Sequence, residues 1–229
     1  METPLISVIL PFLNGGPAFE PALRSILAQT YANWELLLCD DGSTDGSLEL
    51  ARSLGDPRVI VWSDGKTKGL AARLNECIAR ARGQFIARMD ADDICRPQRI
   101  EKQVGYLLAH PDVVMVDTIM VYIDGDGNPL NNYNNDVISE EAITNNMVKS
   151  NCMGHSSIMM RTQPYRQYLY RKIFYEDDDL WLRLLNDRKK INKIGEPLLL
   201  YRIHEQSIIN KDRNKNLAFS KFVKTRWFY

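Results

Sequence analysis

The chain has 229 residues, 45% of them hydrophobic and 25% charged, with Lys plus Arg and Asp plus Glu equal at 29 each. That is globular composition, long enough to bury a sizeable core. A formal net charge of zero supplies no global field toward nucleic acid, so nucleic acid is not an expected partner and any charge argument must be local. Met1-Glu2-Thr3-Pro4 lacks the basic opening and apolar core of a secretory signal, and no stretch reaches the roughly 18 consecutive apolar residues of a membrane span. Cysteines at 39, 77, 95 and 152 form no C-x-x-C pair and no zinc spacing, which predicts reduced thiols and a cytoplasmic protein.

In chain order, Ile6 to Leu10, Trp34 to Cys39, Val59 to Trp62 and Phe85 to Met89 read as buried strands. Helical patterns fill the gaps. Pro21 suits a first helical turn ahead of an apolar stripe of Leu23, Ile26 and Leu27, and the helix from Leu70 to Arg82 is stopped by Gly83. This alternation predicts an α/β fold, a mostly parallel Rossmann-like central sheet flanked by helices, with ligands at the carboxyl ends of the strands. After Pro97 a helix carries Ile100, Val104, Leu107 and Leu108, and Val113 to Val116 and Met120 to Ile123 read as two strands. The polar run 131–136 reads as a loop, Ser139 to Met147 as a helix, and Leu180, Trp181, Leu184 and Leu185 as the apolar face of another. Leu198 to Ile203 reads as a closing strand. No repeat, low-complexity tract or composition shift forces a domain boundary.

Four polar clusters carry candidate chemistry. Asp40-Asp41-Gly42-Ser43-Thr44-Asp45-Gly46-Ser47 places carboxylates where a strand ends; it can be a nucleoside-binding turn or an Asx turn with a helix N-cap. Asp90-Ala91-Asp92-Asp93 gathers three carboxylates at the end of a buried strand, where mutual repulsion asks for a hard divalent cation, magnesium or manganese, or for a neighbouring Arg88 or Arg96. Glu176-Asp177-Asp178-Asp179 opens a helix; the helix dipole alone explains it, and a general base is the functional alternative. In Tyr201-Arg202-Ile203-His204, alternation puts Arg202, a candidate phosphate holder, and His204, a candidate metal ligand or an ordinary surface histidine, on one strand face. Asp124-Gly125-Asp126-Gly127-Asn128 begins like a calcium loop, but Pro129 stands where glycine is needed, so it reads as a turn.

Taken in order, these residues resemble family 2 glycosyltransferases, the large inverting group with the GT-A fold. The resemblance runs from about residue 5 to 207. It includes Ser7-Val8-Ile9-Leu10-Pro11 with Asn14, Ser25 to Tyr31, Asp40 to Asp45, Gly69-Leu70-Ala71-Ala72 with Asn75, and the D-x-D-like Asp90-Ala91-Asp92-Asp93. Glu176-Asp177 before Leu180-Trp181-Leu182-Arg183 and the closing Tyr201 to His204 complete it. The resemblance implies a single domain with a nucleotide-sugar half at about 1–93, an acceptor and catalytic half at about 94–210, and a basic, aromatic segment at 211–229. It implies donor contacts from Pro11, Asn14, Asp41, Asn75, Asp90, Asp92 and Arg202, a Mn2+ or Mg2+ site at Asp92 and Asp93 with His204, and catalysis by Asp177 as base beside Glu176. The donor is then a nucleotide diphosphate sugar, a UDP-sugar first, and the acceptor a saccharide or lipid-linked hydroxyl, as in bacterial surface polysaccharide or glycolipid assembly. Phe12-Leu13 and Asn14-Gly15-Gly16 depart from the family pattern, and 120–170 carries no family motif.

Two rivals share these features: a sugar nucleotidyltransferase, which should show a basic glycine-rich loop where Leu13-Asn14-Gly15-Gly16-Pro17 has none, and a non-catalytic nucleotide-sugar-binding scaffold. From Lys211 to Tyr229, six Lys or Arg residues interleave with Phe219, Phe222, Trp227, Phe228 and Tyr229. That tail fits either peripheral contact with the inner face of a membrane or an ordinary terminal helix.

Overall fold

The computed structural model describes residues 3–133, 139–147 and 151–203. His204 and the 211–229 segment lie outside the described residues. The first half runs β1 (Ile6–Phe12), α1 (Gly16–Leu27), β2 (Trp34–Asp40), α2 (Ser47–Arg52), β3 (Val59–Ser63), α3 (Leu70–Arg80) and β4 (Phe85–Arg88). The second half adds β5 (Ile94–Cys95), α4 (Arg99–Ala109), β6 (Val113–Ile123), β7 (Pro129–Tyr133), α5 (Glu140–Met147), a 3-10 turn at His155–Ser157, β8 (Met159–Arg161), α6 (Thr162–Gln167), α7 (Glu176–Asn186) and β9 (Lys190–Arg202).

The strands form one sheet in the order β3-β2-β1-β4-β8-β6-β9-β5, with β7 on β6. Strands β1 to β4 pair in parallel, as the alternation predicts, and so do β6 and β9, while β8 runs antiparallel between the two sets. Every residue of β1 and β2 is buried, the pattern expected of strands covered by helices on both faces. Two apolar clusters fill those faces, one around Leu10, Phe19, Trp34 and Leu107 and the other around Leu37, Leu74, Tyr165 and Trp181. Gly83 marks a close approach of backbones: a Cβ there would lie 2.5 Å from the Ser7 nitrogen. Among the described residues no helix is long and apolar enough to cross a membrane.

Several sequence expectations need correction. Helix α1 starts at Gly16, so Pro17 occupies its first turn and Pro21 lies inside the helix. The start is set from a distance: the amides of Asn14, Gly15 and Gly16 donate to Ser43 Oγ, Ser47 Oγ and Asp45 Oδ2 at 2.9–3.0 Å. Leu108 is 51% exposed; one step beyond Leu107 on a helix turns it away from the sheet. The face it was assigned to is completed by buried Arg99 and Gln103, whose polar ends reach the carbonyls of Arg88 and Ser157. The two short strands expected at 113–116 and 120–123 are one, because Asp117 is neutralised inside the sheet by Lys193 at 3.3 Å and by the Gly154 amide at 2.8 Å. Strand β9 begins at Lys190, eight residues before the expected Leu198, since its polar first half pairs with β6. The 131–136 run is not all loop, as β7 takes its first residues.

Candidate active site

The Asp40–Ser47 turn proves to be a scaffold in which hydrogen bonds satisfy each carboxylate. Asp40 accepts from the Ser43 amide at 2.9 Å and from Ser63 Oγ at 2.6 Å, joining β2 to β3. Burial opposes its ionisation, but these hydrogen bonds outweigh it and hold the carboxyl below its ordinary value. Asp45 accepts from the Ser47 amide at the start of α2 while also holding the Gly16 amide. Asp41 is buried, accepting from the amides of Lys68 (2.7 Å) and Gly69 (3.0 Å) and from Arg73 Nε (2.8 Å). Arg73 in turn reaches Asp64 and Glu76. Asp41 therefore folds the 66–69 loop onto the end of β2. Asn14 is part of the same frame, its Oδ1 accepting from the Thr44 amide, and Pro11 is buried within β1.

The acidic turn after β4 is different. Arg88, fully buried, forms a two-pronged pair with Asp90, 2.6 Å on one side and shorter on the other. Asp93 has no exposure; Oδ1 accepts the Arg202 amide at 2.9 Å and Oδ2 has no hydrogen-bond partner. Ligand oxygens of Asp90, Asp92 and Asp93 lie within 4.8 Å of one another. Burial, then the charge of neighbouring acids, pushes the Asp93 carboxyl well above its ordinary range, and burial likewise raises Asp90. With Asp90 neutralised by Arg88, the orphaned oxygen of Asp93 and the carboxylate of Asp92 fit a divalent cation.

Arg202 is bound to backbone carbonyls. Its Nε donates to the Asp92 carbonyl (2.9 Å) and its Nη1 to the carbonyls of Asp124 (2.9 Å) and Gly125 (2.7 Å). The guanidinium thus ties the acidic turn to the Asp124–Asn128 turn. Asn75 clamps both the N–H and the C=O of Tyr170 with its side-chain amide, at 3.0 and 2.9 Å, linking α3 to the segment before α7.

Helix α7 opens at Glu176 after Tyr175, which takes left-handed geometry at φ 59°. Asp177 Oδ2 accepts from Asn151 Nδ2 at 2.9 Å. Glu176 is pushed up to about 7, first by burial and then by the charge of Asp177, and burial also raises Asp177. The Arg88 amide donates to the Ile158 carbonyl at 3.0 Å, next to the His155–Ser157 turn whose His155 meets Glu176, so the ends of β4 and α7, remote in sequence, are joined through that turn. Sequence reasoning missed His155, whose Nδ1 lies 3.8 Å from Glu176 Oε1 and whose Nε2 meets Tyr170 Oη at 2.7 Å; Tyr165 Oη continues the chain at 2.5 Å. Burial, then the Arg88 charge, holds His155 neutral, well below its ordinary pKa. A lone histidine before Ser156-Ser157 is the whole of its sequence signal.

The sequence profile of the Glycosyl transferase family 2 matches residues 7–183, which spans β1 to the middle of α7. The chain belongs to that family. This glycosyltransferase is 36% identical over 219 residues to EpsE of Bacillus subtilis (strain 168), named provisionally as a glycosyltransferase, across 92% of this chain and 77% of that one. It is 29% identical over 213 residues, 91% of this chain and 81% of the other, to WfgD of Escherichia coli, a UDP-Glc:alpha-D-GlcNAc-diphosphoundecaprenol beta-1,3-glucosyltransferase. Its structure superposes with a TM-score of 0.72, at 17% identity, on the mannosyltransferase PcManGT of Pyrobaculum calidifontis in complex with GDP-Man and Mn2+. That match covers 97% of this chain and 65% of the other, slightly under two thirds of its length, and shows the GT-A fold.

Proposed function

We propose that this glycosyltransferase moves a sugar from a nucleoside diphosphate sugar, a UDP-sugar first, to a hydroxyl of a saccharide or lipid-linked acceptor during surface polysaccharide assembly, with inversion. The observation that carries the reading is the cluster at the end of β4, where ligand oxygens of Asp90, Asp92 and Asp93 lie within 4.8 Å of one another and the buried Asp93 Oδ2 lacks a hydrogen-bond partner. The name of WfgD supports the donor and acceptor classes, and the PcManGT complex supports a nucleotide sugar with metal.

In this reading the 66–69 loop, held by Asp41, borders the nucleoside, and Asp90 with Asp92 faces the ribose and diphosphate. Asp92 and Asp93 would hold Mn2+ or Mg2+, and the bound ion would supply screening of the charge on the diphosphate. Asp177, oriented by Asn151, takes the proton of the acceptor hydroxyl. The acceptor oxygen forms a bond to the anomeric carbon while the bond to the diphosphate breaks, and the electron pair leaves with the nucleoside diphosphate. One displacement from the opposite face inverts the centre.

Calorimetric titration with UDP, GDP and dTDP, with and without manganese, tests the donor site. Metal-dependent binding of one nucleotide, lost when Asp92→Ala and Asp93→Ala are combined, is expected. Absence of binding under every condition would favour a non-catalytic scaffold.

A further inference from the structure

Among the described residues six large apolar side chains are exposed, and three of them, Leu169 (41%), Ile173 (38%) and Phe174 (45%), fall in the single stretch Leu169–Phe174. Arg171 and Lys172, both exposed, stand between them. The stretch is not slack. Tyr170, 4% exposed, is clamped through its backbone by Asn75 and through its hydroxyl by Tyr165 and His155. The Leu169 carbonyl accepts from Arg183 Nη2 at 2.9 Å, and the Ile173 amide closes a tight turn onto the Arg171 carbonyl at 2.8 Å. Arg171 touches Asp179 at 3.3 Å yet keeps 55% of its side chain exposed.

We infer that this ridge, Leu169, Arg171, Lys172, Ile173 and Phe174, is a docking surface for an anionic lipid bilayer. Three apolar tips held on a fixed backbone lose little conformational entropy when covered, so covering them is favourable. Lys172, exposed among those tips, complements a surface of negative headgroups, with Arg171 beside it paired to Asp179, and aliphatic, aromatic and basic side chains together are the composition of an interfacial contact. The ridge runs through Tyr175 directly into Glu176 and Asp177. Docked, it sets the proposed base at headgroup level, where the sugar of a lipid-linked acceptor lies; this consequence rests on the acceptor reading given above.

The test is sedimentation of the full chain with vesicles of phosphatidylcholine alone and of equal phosphatidylcholine and phosphatidylglycerol. Binding to the anionic vesicles only is expected. It should fall about tenfold or more in the combined variant Leu169→Ser, Ile173→Ser, Phe174→Ser, and several-fold in Lys172→Glu or on raising salt. The triple variant should keep the nucleotide titration of the wild type, which reports an intact fold and donor site. It should also keep its rate on a water-soluble acceptor while KM for a vesicle-embedded lipid-linked acceptor rises about tenfold. Wild type that ignores anionic vesicles, or a triple variant that binds them as wild type does, overturns the proposal, the latter in favour of the 211–229 segment. Loss of a dimer rather than of vesicle binding in the triple variant also overturns it, in favour of a protein partner. Vesicle binding is read without any turnover, so a failed acceptor assignment leaves this result standing by itself.

Discussion

The Asp40–Ser47 turn and the acidic clusters Asp90–Asp93 and Glu176-Asp177 use the same residue types and treat them in opposite ways. In the first, amides and hydroxyls surround the carboxylates, and buried Asp40 and exposed Asp45 are both held below their ordinary pKa. In the clusters, burial raises Asp90, Asp93, Glu176 and Asp177, and neighbouring acids add to the rise at the first three. A carboxylate whose lone pairs are filled by its own chain builds structure, whereas one left short of partners is poised to take a cation, a proton or a substrate hydroxyl.

The largest effect expected from this contrast is in catalysis. Asp177→Asn should lower kcat by about 10^2–10^4-fold with nucleotide affinity unchanged, read by steady-state kinetics beside calorimetry. A loss of affinity instead of rate would place Asp177 among the structural carboxylates. The matching break on the structural side is Arg73→Ala, which strands buried Asp41 and should cost about 3–5 kcal/mol in urea unfolding.

Opposite pH signs sharpen the comparison. Glu176, raised from 4.5 to about 7 in the folded protein, binds its proton more tightly folded than unfolded. Without metal, the stability it contributes is full below the unfolded value and declines as pH rises through about 7, by on the order of 2–3 kcal/mol. Glu176→Gln in EDTA should remove that decline from urea midpoints taken between pH 5 and 8. Glu35 has the other sign. Burial raises it, but Ser7 Oγ at 2.6 Å and Arg82 at 2.7–2.8 Å outweigh burial and lower it. Its stabilisation is present above its unfolded value and lost as pH falls through the folded one; Glu35→Gln should cost about 1–3 kcal/mol at pH 7 and less at pH 3. The smallest effect is at the misassigned Leu108, where Leu108→Lys should change stability by no more than about 0.5 kcal/mol.

The site was legible wherever charge density itself was the signal. Three aspartates in four residues after a buried strand, and four acids before an apolar helical face, are unusual enough to read directly. Roles resting on a single polar side chain were not. Asn75, Arg202 and His155 sit in ordinary local sequence, and their partners Tyr170, Asp92 and Glu176 are between 15 and 110 residues away. No local pattern reports such a pairing.

By itself the sequence determined the order of strands and helices from β1 to β4, because apolar period and turn chemistry act over a few residues. It also determined the positions of the acidic clusters. Only the tertiary structure decided that Asp117 stays inside β6, that Asp41 braces a loop, that Arg202 ties two turns together, and that His155 stands beside Glu176. The physical reason is that an ionisable side chain has no role until its partners and its distance from water are fixed, and chain crossings set both.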